Sequence, residues 1–556
     1  MSEKSNARTD QASAPPKRTF SKLVVSILAF VVLVNTLRSL VVLKNFFDGP
    51  TTIAEPAQHE QILDQNRKRN VIFMVSDGMG PASLSLTRSF RQYQQGLEYN
   101  DILDLDQYFI GHSRTRSSSS LVTDSAAGAT AFSCGKKSYN GAIAILPDHS
   151  PCGTVLEAAK LAGYHTGMVV TTRITDATPA SFAAHANQRF EEDLIAQHEL
   201  GYYPLGRVVD LMIGGGRCHF LPQSLSGGCR GDDRNLIEEA VSEGWSYVGN
   251  RDSFDSLASG ENVTLPLLAL LAPGDIPFEI DREDEIFPSL EETAKTAIRA
   301  LELATKDSSK GFFLLIEGSR IDHAGHQNDP AAQVREVLAY DAAFKAAIDF
   351  ANSSEVETIV LSTSDHETGG LSTARQITAS YPEYLWYPEV LDNVKHSAEY
   401  LGSQLARFKG QEEALEKFIE HHIFKEGLGF TDFSKRDVQM LIRHKDNAAD
   451  MIAYMISVRS EIGWSTHGHS AVDVNVYGFG PNEQSQQLIM QQLAGSNENT
   501  EIGDFMASYL AVDTGAVTDI LQDHHSKVSE TQFEWTEEPY EEILMDEYHV
   551  REEIHE

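Results

Sequence analysis

The chain has 556 residues, of which 41% are hydrophobic and 9% aromatic; that is enough apolar mass for a large folded core, and it excludes a disordered chain. Its 81 acidic residues outnumber 45 basic ones, giving a formal charge of −36. This excludes a nucleic-acid binder, because phosphate backbones need compensating lysine and arginine. A small phosphate substrate stays open, since a few cations can invert the field of a single site.

Residues 1–22 are polar, with Lys17, Arg18 and Lys22 close to the apolar stretch LVVSILAFVVLVNTLRSLVVL at 23–43. A spanning helix needs roughly 20 apolar residues, and Arg38 can snorkel. The stretch is therefore expected to be an uncleaved transmembrane anchor, with the basic tail cytosolic and the bulk of the chain lumenal, as in a single-pass type II membrane protein. A cleaved signal peptide is the alternative; the long polar lead and the lack of a small-x-small cleavage site disfavour it. Residues 44–68 read as a stem, mixed in composition and without a clear period.

Beyond the stem, apolar runs alternate with helical patterns. VIFMVSDG (71–78), TGMVVTTRITDATP (166–179), GFFLLIEGSRIDHAGH (311–326) and TIVLSTSDHETGG (358–370) each run apolar and then reach an acid: Asp77, Asp176, Glu317 and Asp365. Such runs predict buried parallel strands. Helical patterns at 153–161, 289–306 and 331–351 fall between them. The expectation is an α/β chain with a central, mostly parallel sheet between helical layers. A single acid at a strand end is usually a cap or turn residue; four along the ligand-binding edge of such a sheet point to a site. The catalytic domain is set at 69–520, with 371–462 as a mostly helical insertion and 521–556 as an acidic extension.

Four cysteines, Cys134, Cys152, Cys218 and Cys229, lie outside any CxxC spacing, which disfavours a zinc–thiolate site. Sequence leaves three pairings open; local pairing, 134–152 and 218–229, is the first expectation. Asn262-Val-Thr and Asn352-Ser-Ser are glycan acceptor triplets and suit a lumenal chain.

In EGSRIDHAGH, Asp322 and His326 are four apart, so one helical turn aims them the same way. Asp365 and His366 are adjacent, and His467 stands in WSTHGHSAVDV just before another apparent strand. Carboxylate and imidazole are the ligands zinc takes when thiolates are absent. Asp322, His326 and His467 would make one site with an open position, and Asp77, Asp365 and His366 a second. His469 could replace His467, whereas His323, beside Asp322, would usually point elsewhere. Two zinc ions about 4 Å apart clamp an in-line phosphoryl transfer and can turn a serine hydroxyl into an alkoxide without a histidine base. That explains LVTDSAAGATAF at 121–132, which lacks the G-x-S-x-G of common serine hydrolases. Ser125 is expected to open a helix whose amides face phosphate, and the small residues after it let backbone approach closely.

VTDSAAGATA resembles the active-site signature of alkaline phosphatases, and VSDGMG, TDATPASFAAHANQR, EGSRIDHAGH, SDHETGG and STHGH resemble its remaining motifs in the same order, over roughly 70–480. The anchor and the acidic tail further resemble fungal vacuolar members, which implies the vacuole membrane as location. The resemblance implies the family's three-layer sandwich, a homodimer, and a broad hydrolysis of small phosphate monoesters at alkaline pH through a phosphoserine at Ser125. Asp124 would hold Arg189, whose planar fork suits phosphate oxygens. The two zinc ions would take the two sets above, the one at Asp77, Asp365 and His366 activating Ser125. One magnesium would be held by Asp77, Thr178 and Glu317, with Asp176 near its waters; all-oxygen ligation fits that ion. Bacterial members pair the Asp176 counterpart with lysine at the position of His323, and mammalian members carry histidine at both; this chain mixes the two. A phosphodiesterase or sulfatase on the same fold is the alternative enzyme, disfavoured by TDSAAGAT. A catalytically dead, membrane-anchored binding protein would have lost a ligand or the nucleophile, and none is lost.

Overall fold

The computed structural model describes residues 67–532. The expected tail at 1–22, the anchor at 23–43, nearly all of the stem and most of the acidic extension lie outside the described residues, and no helix within them is long and apolar enough to cross a membrane.

Twelve strands are described: β1 (Arg69–Val75), β2 (Phe109–Arg114), β3 (His165–Arg173), β4 (Leu211–Gly215), β5 (Ser246–Val248), β6 (Leu267–Leu270), β7 (Phe312–Glu317), β8 (Glu357–Thr363), β9 (Glu367–Thr368), β10 (His469–Ser470), β11 (Val474–Phe479) and β12 (Gly495–Glu498). Ten form one sheet in the order β12-β2-β11-β8-β1-β7-β3-β4-β6-β5, and β9 pairs with β10 apart from it. From β8 across to β5 every pairing is parallel, while β11 runs antiparallel to both of its neighbours. The strands whose acids stood out in the sequence, β8, β1, β7 and β3, are consecutive in the sheet. Their C-terminal ends therefore share one rim, where open α/β sheets place ligands.

All seven residues of β1 are buried, as expected for a strand covered on both faces. Ile72 and Met74 join a core with Ala297 and Leu301 of the helix Leu290–Thr305 and Val337 and Tyr340 of Pro330–Ser353. Phe73 points the other way, its ring 5.4 Å from Phe132 and 6.0 Å from Phe182, which belong to the helices Ser125–Cys134 and Ala177–Ala183. Alternate side chains of one strand thus feed two helical layers, and the sandwich expected from the sequence is the one observed.

Residues 371–462 are mostly helical, as expected, and contribute to an apolar cluster that includes Leu391, Leu401, Leu405, Ile419, Ile423, Ile452 and Ile456. That cluster continues into Leu86 and Phe90 of the helix Pro81–Gln95 and into Ala331 and Val334. A last helix, Thr514–Gln532, crosses the boundary expected at 520. Both disulfides pair locally, Cys134–Cys152 and Cys218–Cys229, and Asn262 and Asn352 are exposed.

Candidate active site

Ser125 is the first residue of its helix, and Asp124 caps it: Asp124 Oδ1 accepts the Ala127 amide at 3.0 Å, the geometry that makes aspartate a preferred cap. Asp124 Oδ2 accepts the Gly141 amide at 2.9 Å and lies 3.6 Å from Arg189 Nη1. All ten residues of the helix are buried, so its small side chains are a packing requirement. A Cβ on Gly128 would stand 2.9 Å from the Cβ of Asp365. The helix is thereby pressed against the loop that follows β8.

That loop carries Asp365 and His366. His366 Nε2 lies 3.0 Å from Ser125 Oγ, 3.1 Å from Asp365 Oδ2 and 3.5 Å from Asp77 Oδ1. Asp77, Asp365 and His366 offer ligand atoms within 4.8 Å of one another, as do Asp322, His366 and His469. In the turn after β1, Gly78 has a φ of 74°, and a Cβ there would come within 2.6 Å of the Asp322 Cα; only glycine lets this turn close on the helix Arg320–His326.

The second half of the cluster differs from expectation in one residue. His469, not His467, meets Asp322 and His326: its Nε2 is 3.5 Å from Asp322 Oδ1 and 3.0 Å from His326 Nε2, and its ring stacks on His366 at 3.5 Å. His469 lies on β10, and its pairing with Thr368 of β9 carries it inward. Its Nδ1 is held by the Thr123 carbonyl at 2.8 Å. His467 is exposed, and its Nδ1 faces the His326 carbonyl at 2.7 Å. Its own carbonyl accepts from His326 Nδ1. His326 and His469 thus both have Nδ1 fixed by backbone and Nε2 turned to Asp322, the outer-shell arrangement usual for metal-binding imidazoles. His326 Nε2 is 3.3 Å from Asp322 Oδ2, as their spacing on the helix Arg320–His326 predicted.

The electrostatics explain what such a cluster lacks. Burial, followed by repulsion from Asp365, Asp322 and Glu317, pushes Asp77 well above the carboxylate range. Burial pushes Glu317 up to about 8. Asp322 is also raised by burial, but His326, His469 and His366 outweigh that and hold it well below its usual value. Burial, with His366 adding to it, drives His469 far below the ordinary imidazole range. Asp77 Oδ1 and Thr178 Oγ1 are buried without a hydrogen-bond partner. Orphaned oxygens amid crowded carboxylates are costly as protein alone, and a cation satisfies both. The donor set of oxygens and imidazole nitrogens fits the expected metals.

Asp176 caps the helix Ala177–Ala183 and accepts the Ala177 amide at 2.7 Å. Its Oδ1 also accepts from Arg189 Nη2 at 3.0 Å, and its Oδ2 lies 3.5 Å from Arg173 Nη2. Arg189 therefore stands between Asp124 and Asp176. The sequence reading missed Thr368, whose hydroxyl donates to Asp322 Oδ1, and Arg173, Glu192 and Asp275 behind Asp176. A lone arginine closing the apolar run before TDATP was the available signal for Arg173.

A capped serine beside a cation-ready cluster on a parallel sheet defines a hydrolase of the phosphoryl-transfer class. The family model for alkaline phosphatase matches residues 68–512, and the chain belongs to the alkaline phosphatase family. It is 54% identical to the repressible alkaline phosphatase of Saccharomyces cerevisiae over 532 residues, covering 93% of this chain and 92% of that one. The crystal structure of a cold-active alkaline phosphatase from Shewanella sp. aligns with a TM-score of 0.66 at 29% identity, over 79% of this chain and 99% of the other. A mutant of TAB5 alkaline phosphatase, solved with magnesium bound in its M3 site, aligns with a TM-score of 0.54 at 28% identity, over 80% and 98%. The chain is thus an enzyme, a phosphatase of small phosphate esters.

Proposed function

We propose that this enzyme hydrolyses phosphate monoesters by transferring the phosphoryl group to Ser125 and then to water. The observation that carries the reading is the contact of Ser125 Oγ with His366 Nε2 at 3.0 Å, beside an Asp77 oxygen that has no hydrogen bond. Asp77, Asp365 and His366 would hold one zinc ion, Asp322, His326 and His469 the other, and Asp77, Thr178 and Glu317 a magnesium. When bound, such cations acidify the attacking hydroxyl and water and neutralise the leaving oxygen. The chain's own groups do the rest. Ser125 opens its helix, whose N-terminal end favours an anion such as the incoming phosphate. Asp124 and Asp176 hold Arg189 on two sides, so its fork is oriented before substrate arrives. His326 and His469 keep Nε2 inward because backbone carbonyls fix Nδ1.

Two disulfides among the described residues and two exposed glycan acceptors support a lumenal catalytic domain. We place it at the vacuole membrane, anchored through 23–43, as a homodimer. Rapid mixing of a chromogenic monoester with the metal-loaded enzyme tests the mechanism. A burst of alcohol product, phosphate trapped on Ser125 at low pH, and loss of both in Ser125→Ala are expected. Chelation should abolish turnover and added zinc restore it. Trapped phosphate on another residue, or faster cleavage of a diester than of the monoester, would overturn the reading.

A further inference from the structure

We infer that Arg173 is a positioning residue that sets phosphate affinity by holding Asp176 from the side opposite Arg189. It closes β3 and is 6% exposed. Its Nε donates to Glu192 at 3.0 Å, and its Nη1 donates to Asp275 at 3.0 Å. Its Nη2 faces Asp176 Oδ2 at 3.5 Å, while Asp176 Oδ1 takes Arg189 Nη2 at 3.0 Å. Each oxygen of one carboxylate thus faces a different guanidinium.

The surroundings keep Arg173 in that pose. Its backbone amide donates to the same Asp275 oxygen at 3.0 Å. Glu192 accepts from the Thr175 hydroxyl and lies 3.3 Å from His219 Nε2. A planar fork can address three carboxylates at once, which a lysine ammonium cannot. The arrangement bears on phosphate because a bound phosphate dianion and Asp176 compete for Arg189. With Arg173 in place, the charge on Asp176 is shared and its pull on Arg189 is weakened. Without it, Asp176 turns wholly to Arg189, and the buried carboxylates of Asp176, Glu192 and Asp275 share one cation fewer.

This inference rests on the proposed role of Arg189 as the phosphate clamp, so the test includes that residue. Binding of inorganic phosphate to the metal-loaded enzyme is followed by calorimetry, with thermal melting recorded for each variant. Arg173→Met is expected to weaken phosphate binding about tenfold, the size of one charge-assisted contact. KM should rise with it, without a proportionate fall in kcat, because product also leaves faster. Arg173→Lys should fold, since it keeps the charge, and weaken phosphate by a smaller factor; it decides the matter if the methionine variant loses cooperative melting. If Arg189→Ala binds phosphate like the wild type, the clamp itself is wrong. If Arg189→Ala weakens binding but either folded Arg173 variant keeps wild-type affinity, or loses kcat alone, the inference is overturned.

Discussion

The strand-end rim and the helical segment 371–462 each have a buried interior, and the two interiors are filled with opposite things. The rim packs Asp77, Glu317, Asp322, Asp365 and His366 within the interior, with orphaned oxygens and strongly displaced proton affinities. The helical segment gathers leucine and isoleucine into one cluster, with Leu391, Leu401, Ile423 and Ile452 fully buried. Burying one such side chain stabilises by about 1.5–3 kcal/mol, whereas crowding like charges works against folding until something neutralises them. One region is therefore stable as protein alone. The other is complete only with cations, and that incompleteness is what marks it as the site.

The sharpest way to break this contrast is Asp77→Asn. Turnover should fall at least about a thousandfold, as when a member of a catalytic unit is removed. The metal-free variant should nonetheless melt higher than metal-free wild type, because a carboxylate that burial and three neighbours disfavour is gone. A lower melting point for the metal-free variant would show that the rim is not under repulsion. Next in size is the pair of histidine variants. His469→Ala should cost about a hundredfold in kcat/KM, whereas His467→Ala, which keeps the carbonyl that orients His326, should stay within about threefold. Equal effects would return His467 to the ligand set.

Leu401→Ala tests the other region. It should lower stability by about 2–5 kcal/mol in denaturant unfolding while kcat/KM of the folded enzyme stays within about twofold; a rate loss of the rim's size would couple the insertion to the chemistry. The smallest effect concerns Glu336, on the helix Pro330–Ser353. Burial pushes it from the usual 4.5 up to about 8. The folded state thus binds this proton more tightly than the unfolded chain. The group costs nothing below about pH 4.5 and becomes increasingly destabilising as pH rises toward about 8. Glu336→Gln should flatten that decline and gain a few degrees in melting temperature at alkaline pH, with no gain under acid conditions.

Much of this was legible in the chain itself. Apolar runs ending in Asp77, Asp176, Glu317 and Asp365 gave four neighbouring parallel strands, because a strand covered on both faces must be continuously apolar and its end must turn polar. The helix at Ser125 followed from an aspartate cap and a run of small residues. The choice between His467 and His469 did not follow. The two share parity in STHGHS, and what separates them is the two-residue pairing of β9 with β10, a contact across a hundred residues that leaves no local pattern. Arg173, Glu192 and Asp275 were hidden for the same reason: each is ordinary in its own segment, and only the packing of β3 against its surroundings joins them.

Gly128 carries a consequence for the future of this lineage. Because a single added carbon there would collide with Asp365, this point of the helix behind the nucleophile is locked by volume. A mutational library at position 128 should return little but glycine, and new specificity in descendants is expected from the loops around the rim.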